Sequence, residues 1–261
     1  MSEGNAISNA DSIALKQRLA RLSADQRTQL IRRLGENKSE AACSLKSPAA
    51  IPKAKPLRLE ENPPVAVYPA SPGQQRMWFL HHYAAASPVY CVPSAFHLVG
   101  PLNVAWLEAA FRTVIQRHDI LRTTFAMENG ELVQRIAAVS AFQLQPINLE
   151  KIAVADRRES AECRLAEETC RPFDLAAELP FRAALVRLQS NEHVLLLVLH
   201  HIISDGWSRA NFYRELAAAY AMLAAHQPMS GRELPVQYAD FSAWQKDWLN
   251  GGELAAQTAY W

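Results

Sequence analysis

The stretch HVLLLVLHHIISDGWS, residues 193–208, decides how this chain is read. Its run from Val194 to Leu199 is wholly apolar and short, which suits a strand covered on both faces. FRAALVRL (181–188) precedes it, joined through Ser190-Asn191-Glu192. That link is too short for a crossover, so the two strands are expected to pair antiparallel. Alternation then sends His200 and His201 to opposite faces at the strand end. Gly206 permits a tight turn or a close backbone approach. Asp205 or Ser208 can cap a helix predicted over 208–224, where Phe212, Leu216, Ala219, Tyr220 and Leu223 recur at helical spacing.

Outward from this point, helices and strands interleave. Ser71-Pro72-Gly73-Gln74 supplies an N-cap, a proline at the first helical position and a capping-box glutamine, predicting a helix over 71–83. A strand over 94–99 ends at Gly100-Pro101. Asn103 then caps a helix over 104–118, with Leu107, Phe111, Val114, Ile115 and His118 along one side. A strand over 121–127 leads through the hairpin turn Asn129-Gly130 into LVQRI. A charged, alanine-rich helix is predicted over 156–170, ended by Arg171-Pro172-Phe173-Asp174. An α+β layered sandwich fits this pattern. Residues 1–35 read as a short, basic helical extension, a docking element or an appended helix pair, with Ser23 and Gln26 as a capping box. Residues 36–64, with Pro48, Pro52, Pro56, Pro63 and Pro64, read as an extended, poorly packed linker. The lobe is expected over 65–261, and the fresh helical pattern from Glu253 reads as a domain cut short.

Composition narrows the function classes. An apolar fraction of 49% supports a sizeable core, and 27 basic against 26 acidic residues give a net charge of +1. That balance offers nothing to nucleic acid. No run approaches the roughly 18 apolar residues of a membrane span, and the polar start is unlike a signal peptide, so a cytoplasmic location is expected. Cys43, Cys91, Cys163 and Cys170 form no CxxC and no zinc-type spacing, so neither a metal nor an intrinsic cofactor is expected.

A histidine at a strand end is a good general base, because its ordinary pKa lies near neutrality. It would take a proton from an amine or hydroxyl as that group attacks a thioester or ester carbonyl. Backbone amides at the Gly206 turn and the helix start could place the developing oxyanion. Other readings stay open: His200, His201 and Asp205 as metal ligands, a His pair that only knits strand to turn, or Ser204 or Ser208 as a nucleophile lacking a G-x-S-x-G elbow. The bland readings are these: Arg76 as a surface arginine, His81 and His82 as helix-surface residues, and His118 as a satisfied structural histidine. Trp78, Phe79, Trp207 and Trp244 read as core anchors, and Tyr238 and Asp240 as packing residues.

HHIISDG resembles the HHxxxDG signature of condensation domains of non-ribosomal peptide synthetases, relatives of chloramphenicol acetyltransferase and other CoA-dependent acyltransferases. SPGQQRMWFL (71–80), RHDILRTTF (117–125), LHHIISDGWS (199–208) and YADFSAWQ (238–245) resemble the family's blocks in order, with Gly73, Asp119 and Ser242 as departures. RPFDLAAELPFRAALVRL (171–188) is similar to the family as well. The resemblance implies the acetyltransferase-type two-layer sandwich. It implies amide formation between thioesters carried on the phosphopantetheine of upstream and downstream carrier domains. His201 corresponds to the catalytic histidine, Asp205 to a site-shaping aspartate paired with Arg76, Gly206 to the residue beside the thioester, and His200 to the supporting first histidine. DGWSRANFYREL looks more like a peptide-bond former than an epimerising relative, and an L-type donor is favoured. Whole domains of this family have two lobes, and residues 65–261 would supply the first. A CoA-dependent acyltransferase and a non-catalytic carrier-binding module are the rival readings.

Overall fold

The computed structural model describes residues 51–83, 87–138, 142–228 and 233–261. The helical extension expected over 1–35 and the linker through residue 50 lie outside the described residues.

Two four-stranded sheets organise the described residues. The first has the order β1 (Arg58–Glu61), β2 (Pro64–Pro69), β5 (Glu131–Ala137), β4 (Thr123–Glu128), antiparallel throughout. The second has the order β3 (Cys91–Val99), β8 (Glu192–His200), β7 (Phe181–Gln189), β6 (Pro146–Asn148). Its β3–β8 and β8–β7 pairs are antiparallel, and β6 joins β7 in parallel. The apolar run thus lies inside its sheet, and every residue from Leu195 to His200 is buried. The β4–β5 hairpin turns at Asn129 and Gly130, both at positive φ (51° and 82°), as Asn-Gly sequences favour.

Helices α1 (Pro72–Tyr83), α2 (Val104–Arg117), α3 (Val154–Cys170), α4 (Gly206–Ala224), α5 (Tyr238–Trp248) and α6 (Leu254–Tyr260) complete an α+β sandwich. Asn103 caps α2 through Trp106 N–H, 3.1 Å. Leu107, Phe111, Val114 and Ile115 of α2 share one core with Phe212, Leu216 and Ala219 of α4 and with Leu195, Leu197 and Leu199 of β8. A smaller cluster of Leu149, Ala161 and Val186 seats α3. Among the described residues no helix is long and apolar enough to cross a membrane.

Residues 51–64 depart from a bare linker. The proline-free run between Pro56 and Pro63 adds β1 as an edge strand, where an unpaired side suits a chain flanked by prolines. Just before it, Ala54 N–H and Lys53 Nζ reach the Asp240 carboxylate at 2.8 and 3.1 Å.

Candidate functional site

The strand end is tied on both sides before the chain turns. His200 N–H donates to Pro180 O and His201 N–H to Tyr90 O, both 2.9 Å. His200 then organises the turn itself. Its Nδ1 accepts from Ile202 N–H (3.0 Å), and its carbonyl accepts from Ile203 N–H and the Ser204 hydroxyl (both 3.1 Å). Ile202, Ile203 and Ser204 are buried beneath this turn.

The two histidines point opposite ways, as alternation requires. His200 is 1% exposed and faces His81 Nδ1 across 3.2 Å. Burial first, then His81, His201 and Arg182, push its pKa down to about 3, so its ring is neutral. His201 is exposed. Its Nδ1–H donates to Ser204 O at 3.0 Å, which leaves Nε2 of the neutral ring without a proton and, among the described residues, without a partner. Open access and a fixed tautomer are what a general base needs.

Asp205 sits at the start of α4 and closes a reciprocal capping box. Its carboxylate accepts Ser208 N–H, and its own N–H donates to the Ser208 hydroxyl, both 2.8 Å. Bonds from the Ser208 amide, then its hydroxyl, hold the carboxyl below the usual carboxylate range. The Asp205–Arg76 pair implied by the resemblance is not formed. Arg76 lies exposed on α1 and makes no ion pair among the described residues, while Asp205 spends its charge on the helix start. The same cap commits one of the amides at the helix start, that of Ser208, to Asp205. It also leaves no free metal set, since both His200 nitrogens and the Asp205 carboxylate are committed. Among the described residues no group of three or more His, Cys, Asp or Glu could hold a metal ion.

Gly206, the first residue of α4, is exposed and has no left-handed backbone. A Cβ added there would meet nothing within 4 Å. Among the described residues neither turn geometry nor packing asks for glycine, so the open space beside it faces outward. Trp207 follows at 83% exposure, with Phe79 at 65% on α1. The expectation that both are core anchors is corrected: each projects from a helix on the side away from the core. Trp78 packs against the core, in line with expectation.

A second polar cluster holds α1 against α5. Ser71 N–H donates to Gln74 Oε1 (3.0 Å), and Gln74 N–H to Ser71 Oγ (3.2 Å), the predicted capping box. Gln74 Nε2 donates to Gln134 Oε1 (3.1 Å), whose own Nε2 donates to Pro69 O (2.9 Å) and Ser242 Oγ (3.2 Å). Ser71 Oγ meets the Tyr238 hydroxyl at 2.9 Å. Asp240 caps α5 at Gln237 N–H, 2.8 Å. Tyr238 and Asp240 are therefore packing residues, as read from the sequence. His118 is likewise satisfied, by Glu215 at 2.8 Å.

His81 is the residue that sequence reasoning missed. Read as a surface residue, it is half-buried against His200, with ring centroids 5.0 Å apart at 78°. The signal was helical spacing: Gln74, Met77 or Trp78, and His81 fall on one face of α1.

Comparison with known proteins gives a consistent picture. The family model described as "Condensation domain" matches residues 65–261. A linear gramicidin synthase of Brevibacillus parabrevis is 44% identical over 193 residues, covering 74% of this chain and 2% of that protein. The crystallised X-domain of teicoplanin biosynthesis, seen in complex with OxyB, is 33% identical with a TM-score of 0.68, covering 79% of this chain and 41% of that one. The starter condensation domain of rhizomide synthetase RzmA shares the fold at 24% identity and a TM-score of 0.67, covering 75% of this chain and 49% of that one. The chain thus spans less than half the length of these solved structures and a small fraction of the curated synthetase.

Proposed function

The chain belongs to the condensation-domain family, and from that premise we propose that it supplies the histidine-bearing lobe of an enzyme that joins two carrier-bound thioester substrates through an amide bond, in the cytoplasm. The observation that carries this is His201, exposed at the strand end with Nδ1–H bound to Ser204 O and Nε2 bare. As the acceptor amine adds to the donor thioester carbonyl, a C–N bond forms and Nε2 of His201 takes the amine proton. Collapse of the tetrahedral adduct breaks the C–S bond, and the proton passes to the departing thiolate. Gly206 leaves room for the thioester to lie against the start of α4. Asp205 shapes the site by fixing that helix start, and His200 supports it by fixing the turn. The substrates ride on phosphopantetheine arms of partner carrier domains, for which residues 1–35 offer a docking element.

A second lobe would cover the face that carries His201 and would hold both reactants against it. Correct placement of two reactants is worth about 7–11 kcal/mol of barrier. The share of the solved chains that this one covers supports such a single-lobe reading. The test is peptide formation with loaded donor and acceptor carrier proteins. It compares residues 1–261 with a longer chain that adds the second lobe, each with and without His201→Ala. The longer chain turns over, His201→Ala lowers its rate by about 10²–10⁴-fold, and residues 1–261 alone do little. Equal His201-dependent turnover by the shorter chain overturns the single-lobe reading. Turnover indifferent to His201→Ala overturns the base.

A second reading, a non-catalytic binding platform, is favoured by the X-domain, whose structure was obtained in complex with OxyB. Turnover that depends on His201 rejects it.

A further inference from the structure

We propose that His81, on α1, is a positioning residue that holds His201 in its working tautomer by way of His200. This rests on the reading of His201 as the base. Proton placement follows from geometry. Ile202 N–H donates to His200 Nδ1 at 3.0 Å, so that nitrogen carries no proton. The neutral ring therefore carries its proton on Nε2, where its partner is His81 Nδ1 at 3.2 Å. His81 Nδ1 must then accept, which places the proton of His81 on Nε2. Burial keeps both rings neutral, aided at His200 by the nearby Arg182 guanidinium, which stacks over Phe173 at 3.8 Å. The Phe173 ring stands at right angles to that of His200, 5.9 Å between centroids.

The consequence reaches His201 through the turn. His200 Nδ1 and its carbonyl between them hold Ile202 N–H, Ile203 N–H and the Ser204 hydroxyl. Those three bonds present Ser204 O to His201 Nδ1–H at 3.0 Å. Without His81, the buried Nε2–H of His200 has lost its acceptor. The alternative tautomer, with the proton on Nδ1, sets that proton against Ile202 N–H, donor facing donor. Either way the turn loosens and Ser204 O withdraws. His201 then returns to the Nε2–H form that a free imidazole favours, and its bare nitrogen no longer faces the open side.

The test labels histidine with ¹⁵N in residues 1–261 and reads tautomers from long-range ¹H–¹⁵N correlations. The wild-type chain shows His200 protonated on Nε2 and His201 on Nδ1. His81→Leu moves His201 to a mixture of tautomers, and His81→Asn, whose Oδ1 can accept in place of Nδ1, restores the wild-type pattern. In the peptide-forming enzyme His81→Leu lowers kcat about 10-fold, the scale of a lost orienting partner, with KM unchanged, and His81→Asn recovers it. A folded His81→Leu chain whose His201 stays on Nδ1 overturns the proposal. So does a wild-type spectrum with His200 protonated on Nδ1, a result that needs no variant to fold. The tautomer readout is independent of turnover, so a failure of His201→Ala to lower peptide formation sinks the functional reading while leaving this result distinct.

Discussion

The junction of α1 with α5 and the turn between β8 and α4 are both built from the chain's motif segments, yet they end differently. At the junction, Ser71, Gln74, Gln134 and Ser242 are all almost fully buried, and their hydrogen bonds run from one to the next. At the turn, the His200 side is equally closed, but His201 and Gly206 on the other side are exposed, with a bare nitrogen and an empty space. One chain thus carries motif residues that build the fold beside motif residues proposed to react. Burial and unspent hydrogen-bonding capacity tell them apart.

The comparison is sharpened first at the junction, where the largest loss of stability is expected. Gln134→Leu leaves Gln74 Nε2 and Pro69 O without their partner inside the fold. Each buried, unpaired group costs about 1–3 kcal/mol, so chemical denaturation should report a loss of about 3 kcal/mol. A loss under about 1 kcal/mol would mean that the cluster is not a closed unit.

Acid should act on the closed side of the turn. His200 has its folded pKa depressed to about 3, well below an unfolded value of about 6.5. Below that unfolded value the unfolded chain takes up a proton that the fold refuses. Stability is therefore fully present above about pH 6.5 and falls by about 1.4 kcal/mol per pH unit toward pH 3. Between pH 6.5 and 5 the urea midpoint should register a loss of about 2 kcal/mol from this group. His200→Asn should flatten that slope. An unchanged slope would show that His200 titrates normally.

A smaller effect is expected at Asp205. Because it caps α4 rather than pairing with Arg76, Asp205→Ala should cost about 1 kcal/mol, the scale of a lost N-cap. Asp205→Asn should cost little, since asparagine caps equally well. A loss of about 3–5 kcal/mol, the signature of a broken buried ion pair, would restore the Arg76 pairing.

Much of this architecture was legible in the sequence because it is local. The α1 capping box, the Asn129-Gly130 hairpin, the Asn103 cap and the β7–β8 pair each depend on residues close in the chain. The other half of the first sheet, β1 and β2, was not legible. Its β2 strand, PVAVYP, starts on Pro64, the last residue read as linker, and received no strand assignment, because prolines bound it and its partner β5 lies far along the chain. Helix α5 was hidden behind its motif. Its cap residue is Gln237, an uncommon choice, with Asp240 closing the box from the third position. At the site, alternation separated His200 from His201 correctly. The Arg76 pairing failed because a family correspondence does not say which partner a carboxylate finds first. Ser208 is three residues away, on the helix that Asp205 itself begins.

The most direct measurement is Gly206→Ala, read in two assays on the longer chain proposed to form peptide bonds. A methyl group there meets nothing in the chain itself, so stability should stay within the roughly 0.5 kcal/mol typical of surface substitutions. If the open side of the turn is where the thioester lies, that methyl displaces it from His201, and turnover should fall about 10-fold or more, since a misplacement of about 1 Å can cost about 100-fold. Retained turnover with unchanged stability would contradict the account, because it would leave the space beside Gly206 without a reacting group.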